Sequence, residues 1–464
     1  MDGLTLWGRI RKTGAGFFKA VGETSELVYL ILLSFYVLLF LALKLSWSDT
    51  AEPIAAMVRY FCLSMIMWGA ALYLFFAIAR WLDLWKKTIP LVLIGGALLA
   101  AVFFFTRWMS TNAYTVVMDF YFCLMAYGKS YKKMLCCILC VVLAALLLAG
   151  VFMPIGITWD MQKPENISPG HSLGIVYPNT WGYIAFLGMM IAWYLFMRQR
   201  PWLTFPVFWG VAAFMYYYIS CRTIALLAVV FPIPALVVDL LENRAVKRSN
   251  GYKTKVGVLG WVVTAMPFIA FAFMLYVSYQ YTWVHRHFYY TALHTMAMRF
   301  VQGGLYFYTY GLPIFGNPYR SNQHTYVNVN GSFEEVGILD SSFAAYIIMR
   351  GLFWLTYTLT WLSAAIHKAI RNKDYAIPFL CGIILVFAMM ERPGLDLWYN
   401  FILLYPLAAV VSRVQDPPAP EPEPVDAPDG AEAVEAPEAA EAVEEAPEAL
   451  PETDEAVPPQ ESEV

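Results

Sequence analysis

The sequence predicts an all-α integral membrane protein. Hydrophobic residues make up 60% of the 464 and charged residues only 14%, and the mean hydropathy is +0.56. Apolar runs of about 20 residues, the length that crosses a hydrocarbon core, recur along the chain. Polar, often basic connections separate them. This combination excludes an ordinary soluble domain and points to a polytopic protein.

Taken in order, residues 1–26 are polar and basic, with Arg9, Arg11, Lys12 and Lys19, and are expected to be a cytoplasmic segment rather than a cleaved signal peptide. A membrane domain over 27–412 follows. Its twelve expected spans lie near 27–47, 53–79, 88–106, 112–128, 134–154, 178–197, 202–219, 222–241, 256–278, 341–365, 376–391 and 396–412. With the N-terminus inside, the inner loops collect Arg80, Lys86 and Lys87, then Lys129, Lys132 and Lys133, then Arg198 and Arg200. Arg244, Lys247, Arg248, Lys253 and Lys255 follow, then Lys368, Arg371 and Lys373, and finally Arg413. Every inner loop is basic, so the positive-inside rule places both termini in the cytoplasm and the 279–340 stretch outside.

The net charge of −3 hides an asymmetry. Residues 413–464 hold half of the 34 acidic residues and 11 of the 27 prolines, with Arg413 as their only basic side chain. Proline at that density and few large apolar residues predict a disordered acidic cytoplasmic tail, either solubilising or partner-binding. The seven cysteines fall mostly within spans, so no disulfide framework is expected. The Cys136, Cys137 and Cys140 cluster lacks neighbouring His or carboxylate and reads as packing.

Polar groups inside or beside the spans are the candidate functional residues, because lipid tolerates charge only where it has water, a partner or a role. Arg59 and Asp119 each fall about seven residues below an outer span end, roughly 10 Å deep. They are expected to pair, or to line a substrate path. The outer loop 154–177 ends in His171-Ser-Leu-Gly174, followed by Pro178-Asn179. His171 and Asn179 are hydrogen-bonding groups at the membrane surface, and a turn with a helix start explains them equally. Spans seven and eight are joined by the short Tyr216–Thr223 turn, which puts Arg222 on the first turn of a helix. There it serves either as a lipid anchor or as a bidentate phosphate ligand.

The large outer stretch 279–340 holds four of the six histidines, His285, His287, His294 and His324, with Arg286, Arg299 and Arg320. Its aromatic start is either an interfacial belt or a platform for sugar rings. Residues 291–308 have helical periodicity, with Leu293, Met296 and Phe300 on one side and Thr291, Thr295, Arg299 and Gln302 on the other. That pattern predicts an amphipathic surface helix. Asp340, at the mouth of span ten, is either a general base or a helix N-cap.

Four fragments of this chain together resemble the O-antigen polymerase and ligase superfamily. They are His171-Ser-Leu-Gly174 with Pro178-Asn179, Cys221-Arg222-Thr223, Arg299 followed by Pro313-Ile-Phe-Gly316, and Asp340-Ser-Ser342 with Gly351. The likeness is greatest to polysaccharide repeat-unit polymerases of Gram-positive bacteria and covers roughly residues 154–351. The resemblance implies an inverting, metal-independent glycosyltransferase of the many-span (GT-C-type) membrane class, without cofactor, working at the outer face of the bacterial cytoplasmic membrane. Its donor would be an undecaprenyl-diphosphate-linked oligosaccharide. Its other partners would be membrane lipid, a flippase and chain-length regulators, with no nucleic acid. By position, Arg222 and Arg299 would hold the diphosphate and Asp340 would be the catalytic base. His171, Asn179, Arg286, Arg320 and His324 would be substrate-binding. Two departures stand out: Cys221 occupies the usual Ser position, and Met298 the usual Gly position before Arg299.

The residues themselves agree in one respect. A departing diphosphate needs a metal or cationic side chains, and the chain has no Asp-x-Asp pair. Transfer of a finished glycan to another acceptor, and movement of a lipid-linked oligosaccharide by a flippase, are the competing functions. Transporters place polar sites near the midplane, often with repeat symmetry. Here the polar groups gather outside and no repeat is evident.

Overall fold

The computed structural model describes residues 6–23, 25–81, 113–158, 160, 171–175, 177–249, 256–283, 300, 303, 304, 306, 307, 310–316, 325–329, 332–336, 341–411 and 414. These residues are predominantly helical. In chain order they form α1 (Leu6–Gly22), α2 (Glu26–Ala42), α3 (Glu52–Trp81), α4 (Ala113–Met125), α5 (Tyr131–Phe152), α6 (Pro178–Leu195) and α7 (Pro201–Phe214). Next come α8 (Arg222–Val230), α9 (Pro232–Arg248), α10 (Val258–Thr264), α11 (Met266–Trp283), α12 (Ser342–Arg350), α13 (Leu352–Arg371) and α14 (Ala376–Met390). Among the described residues, four helices are long and apolar enough to cross a membrane, and the number rises to six if each of two bent pairs is one span.

Local chemistry sets the helix starts. Proline occupies the first positions of α6, α7 and α9, where its missing N–H has no intrahelical partner to lose. Ser130 caps α5, its hydroxyl accepting from the Lys133 amide at 3.5 Å. α7 ends in a π-helical turn, Met215–Ile219, and Ser220 closes it in the left-handed region at φ 58°.

α6 is the central helix, with Ile184, Phe186, Leu187, Met190 and Trp193 all buried. A helix apolar on every side is one enclosed by others. Around it, Phe208 stacks on Phe231 at 4.4 Å, and Phe231 meets Trp193 at 5.3 Å and Phe379 at 5.1 Å.

One end of the bundle is clasped by basic residues. Arg198 pairs with Asp239 at 3.0 Å, Glu242 at 2.5 Å and Asp374 at 3.4 Å. Tyr194 and Tyr405 also donate to Asp374. Lys133 pairs with Glu26 at 2.6 Å, Lys129 donates to the Gly22 carbonyl, and Arg80 pairs with Glu23.

Two expectations are corrected. The expected span 396–412 is no helix: the chain passes through 3₁₀ turns at Arg392–Leu395 and Phe401–Leu404, with Tyr399, Asn400, Ile402 and Leu404 fully buried. Irregular backbone survives at such depth only when protein satisfies it. Lys368 Nζ donates to the carbonyls of Tyr405 (3.2 Å), Pro406 (3.0 Å) and Ala408 (2.7 Å), and Trp361 Nε1 donates to Leu403 (2.7 Å). Within this helical protein one short hairpin is described, in which β1 (Thr325–Val329) pairs antiparallel with β2 (Ser332–Val336), Val329 facing Ser332. Lastly, Arg59 does not meet Asp119. It pairs with Glu52 at 2.6 Å, two turns earlier on the same helix, while Asp119 accepts from the Tyr36 hydroxyl and from the Leu397 amide at 3.3 Å. The expected span 88–106 and the acidic tail beyond Val414 lie outside the described residues.

Candidate functional site

At the end of the bundle opposite the Arg198 clasp, several loops interlock into a platform. Residues after α2 pair with the loop ahead of α6: Leu45 bridges Ile175, Trp47 bridges Thr158, and Ser46 N–H donates to Gly174 at 3.0 Å. Gly174 has φ +81°, and a Cβ there would lie 2.6 Å from both the Ala149 carbonyl and Thr158 Oγ1. Only glycine fits this crossing of loop and helix.

The same loop orients His171. Asp160 Oδ2 lies 2.5 Å from His171 Nδ1, and Asp160 Oδ1 accepts from the backbone of Ser172 (2.8 Å) and Leu173 (3.1 Å). Burial disfavours the Asp160 carboxylate, but the bonds from His171, Ser172 and Leu173 outweigh it and hold the carboxyl below its usual range. With one ring nitrogen committed, the imidazole is fixed in orientation.

His171 then reaches the α7–α8 turn. Its backbone N–H donates to the Tyr218 carbonyl at 3.1 Å, and its ring stacks on Tyr218 at 4.7 Å. Tyr218 stacks on Phe214 at 5.3 Å, and Phe214 meets Trp181 at 5.3 Å. Four residues beyond Tyr218, Arg222 opens α8 and is exposed. The preceding Cys221 is buried against α6, where a Cβ on Gly182 would come within 2.5 Å of its Sγ. Asn179, half-buried, is the second residue of α6. The structure therefore brings His171, Asn179 and Arg222 to one platform.

A second wall joins Ser342, of the Asp340-Ser-Ser342 fragment, to Glu391 and Arg392, which the sequence did not single out. Ser342 Oγ accepts from Gly394 N–H at 2.9 Å and donates to the Glu391 and Arg392 carbonyls, tying the start of α12 to the end of α14. Tyr183 of α6 packs edge-on against Phe387 at 5.8 Å and Tyr399 at 5.9 Å, which ties this wall to the central helix. Beneath it, Arg350 Nη1 and Asp396 Oδ1 meet at 2.6 Å without hydrogen-bond alignment, and the guanidinium lies 4.3 Å over the Tyr346 ring. The signal was present in Glu391-Arg-Pro-Gly-Leu-Asp396, three charges between apolar runs.

The fragments around Gly316 and Gly351 also meet. Leu352 N–H donates to Pro313 at 2.8 Å and Phe353 N–H to Ile314 at 3.0 Å, so the 311–316 loop caps α13. Both glycines have positive φ, and a Cβ on Gly351 would strike the Ile314 carbonyl. Arg299, Asp340, Arg286, Arg320 and His324 lie outside the described residues, as do His285, His287 and His294. Of the expected surface helix, Phe300 and Tyr306 are helical and buried.

Chemically, the platform offers an exposed guanidinium for an anion, a ladder of aromatic faces against which sugar rings can stack, and an imidazole held by a carboxylate. No group of three or more His, Cys, Asp or Glu among the described residues is arranged to hold a metal ion. The chain matches no protein-family model, no curated protein and no solved structure.

Proposed function

We propose that the protein is a polytopic glycosyltransferase that joins polyprenyl-diphosphate-linked oligosaccharide units at the outer face of the cytoplasmic membrane, building a cell-surface polysaccharide. The observation that carries this reading is the His171–Tyr218 contact. It draws two fragments far apart in sequence, each part of the resemblance, into one platform that also holds Arg222. The mutual packing of the 311–316 loop and Gly351 supports the same reading for the later fragments. Orientation is supported by the gathering of Arg80, Lys129, Lys133 and Arg198 at the opposite end, the side that the positive-inside rule assigns to the cytoplasm.

In this proposal Arg222 and Arg299 neutralise the departing diphosphate, and Asp340 accepts the proton of the attacking hydroxyl. His171, Asn179, Arg286, Arg320 and His324 contact the glycan. The test is incubation of purified protein with its lipid-linked repeat unit, with and without a chelator. Elongation that resists the chelator supports the proposal. Passage of intact substrate across a vesicle bilayer without elongation points to a flippase and overturns it, and a single transfer to a foreign acceptor points to a ligase. If Asp340→Asn elongates at full rate, the residue is a helix cap and not the base.

A further inference from the structure

We propose that Asp160 is a positioning residue that fixes the His171 imidazole with its proton on Nδ1, so that Nε2 is presented as a hydrogen-bond acceptor for a sugar hydroxyl. This role rests on the platform's binding a glycan, as proposed above, and falls to a carboxylate that the sequence did not single out.

His171 is held at three points. Asp160 Oδ2 lies 2.5 Å from Nδ1, one ring face stacks on Tyr218 at 4.7 Å, and the backbone N–H donates to the Tyr218 carbonyl at 3.1 Å. Asp160 is fixed in turn. Its Oδ1 accepts from the Ser172 amide at 2.8 Å, the Leu173 amide at 3.1 Å and the Ser172 hydroxyl at 3.3 Å. Leu173, whose amide is held in this way, sits in the left-handed region at φ 47°, a conformation that non-glycine residues adopt at a cost and that gathers at binding and catalytic sites.

A carboxylate can only accept, so the nitrogen facing Asp160 carries the proton. The two nitrogens of an imidazole point to opposite sides of the ring, and an Nδ1 turned into the loop turns Nε2 out of it. The His171 side chain is 37% exposed; with Nδ1 and one face covered, that exposure belongs to the Nε2 edge and the other face. An oriented acceptor beside exposed aromatic rings suits a carbohydrate. Tyr218 and Phe214, both exposed, offer apolar faces to the C–H groups of a sugar, and Nε2 offers a lone pair to a hydroxyl. Asparagine at position 160 would keep an oxygen for the two amides but turn an NH2 group toward Nδ1, which must then accept. The ring proton would move to Nε2, and a donor would stand where the acceptor was.

The test uses full-length protein in phosphatidylcholine nanodiscs at pH 8. Nitrogen-15 NMR of histidine-labelled protein, with His171→Gln identifying the resonance, is expected to show Nδ1–H in the parent and Nε2–H in Asp160→Asn. Isothermal titration then compares polyprenyl diphosphate with the same lipid carrying N-acetylglucosamine. The sugar is expected to tighten parent binding on the order of tenfold. Asp160→Asn should abolish that increment and leave affinity for the bare diphosphate lipid unchanged, with Asp160→Glu recovering part of it. Near-UV circular dichroism checks folding; should Asp160→Asn not fold, the parent spectrum and loss of the increment in His171→Gln decide. An Nε2–H or doubly protonated ring in the parent overturns the proposal, as does a sugar increment absent from the parent or retained in folded Asp160→Asn. Equal loss of both affinities marks a structural clasp and overturns it too. A sugar increment that depends on Asp160, in a protein that elongates no glycan, would sink the polymerase reading and leave this role standing.

Discussion

Replacing Arg350 with methionine tests the buried charge pair beneath the platform. The side chains of Arg350 and Asp396 are 12% and 19% exposed, their closest atoms are 2.6 Å apart, and the guanidinium also covers Tyr346. Removing one partner of a buried pair leaves the other charge uncompensated and costs about 3–5 kcal/mol. Methionine keeps much of the aliphatic volume, so the loss is chiefly electrostatic. Thermal unfolding in detergent should show Arg350→Met lowering the midpoint by roughly 5 °C or more. Adding Asp396→Leu should return most of that loss, because two apolar residues replace an ion pair at nearly neutral cost. The double-mutant cycle isolates the interaction. Additive losses, with the double variant less stable than either single one, would refute the pairing.

Two further expectations concern the loop ahead of α6. Asp160 is held below its usual carboxyl range, so its contribution to stability is complete above about pH 4, the unfolded value, and fades as the pH falls through the lower folded value. Asp160→Asn should therefore lose stability at pH 7 yet converge on the parent in strong acid; parallel pH–stability curves would contradict this. Gly174→Ala must place a Cβ 2.6 Å from the Ala149 carbonyl while keeping φ +81°. It should destabilise the protein by about 2 kcal/mol or more and increase hydrogen exchange at Ser46, whose N–H is bound to Gly174. An unchanged exchange pattern would argue against that crossing.

The helical character of the chain was legible because apolar run length is a local signal, and Pro178 marks a helix start as expected, whereas Pro232 opens a helix inside the expected span 222–241. Rotation about a helix axis was not legible. Arg59 and Asp119 were matched by depth, yet Arg59 turns toward Glu52 on its own helix and Asp119 toward Tyr36. The segment 396–412 shows a subtler limit, since apolar length cannot separate a lipid-facing helix from an irregular, turn-rich chain enclosed by protein. What marks it is the set of donors on another helix, Lys368 and Trp361, which satisfy its carbonyls. The β1–β2 hairpin carried a sequence signal that was overlooked, Asn330-Gly331 between β-favouring residues. His171, Asn179 and Arg222 were singled out by their position at span ends. Glu391, Arg392 and Asp396, at and between the ends of the expected spans 376–391 and 396–412, were not singled out, because what sets them apart is who surrounds them.

The most direct test of the central claim is polymer length made by purified protein from its lipid-linked repeat unit, compared with Arg222→Ala and Arg299→Ala proteins of equal membrane abundance. The account predicts that each variant makes no polymer, because a diphosphate leaving group loses one of its guanidinium partners. Polymer of normal length from both variants would contradict it.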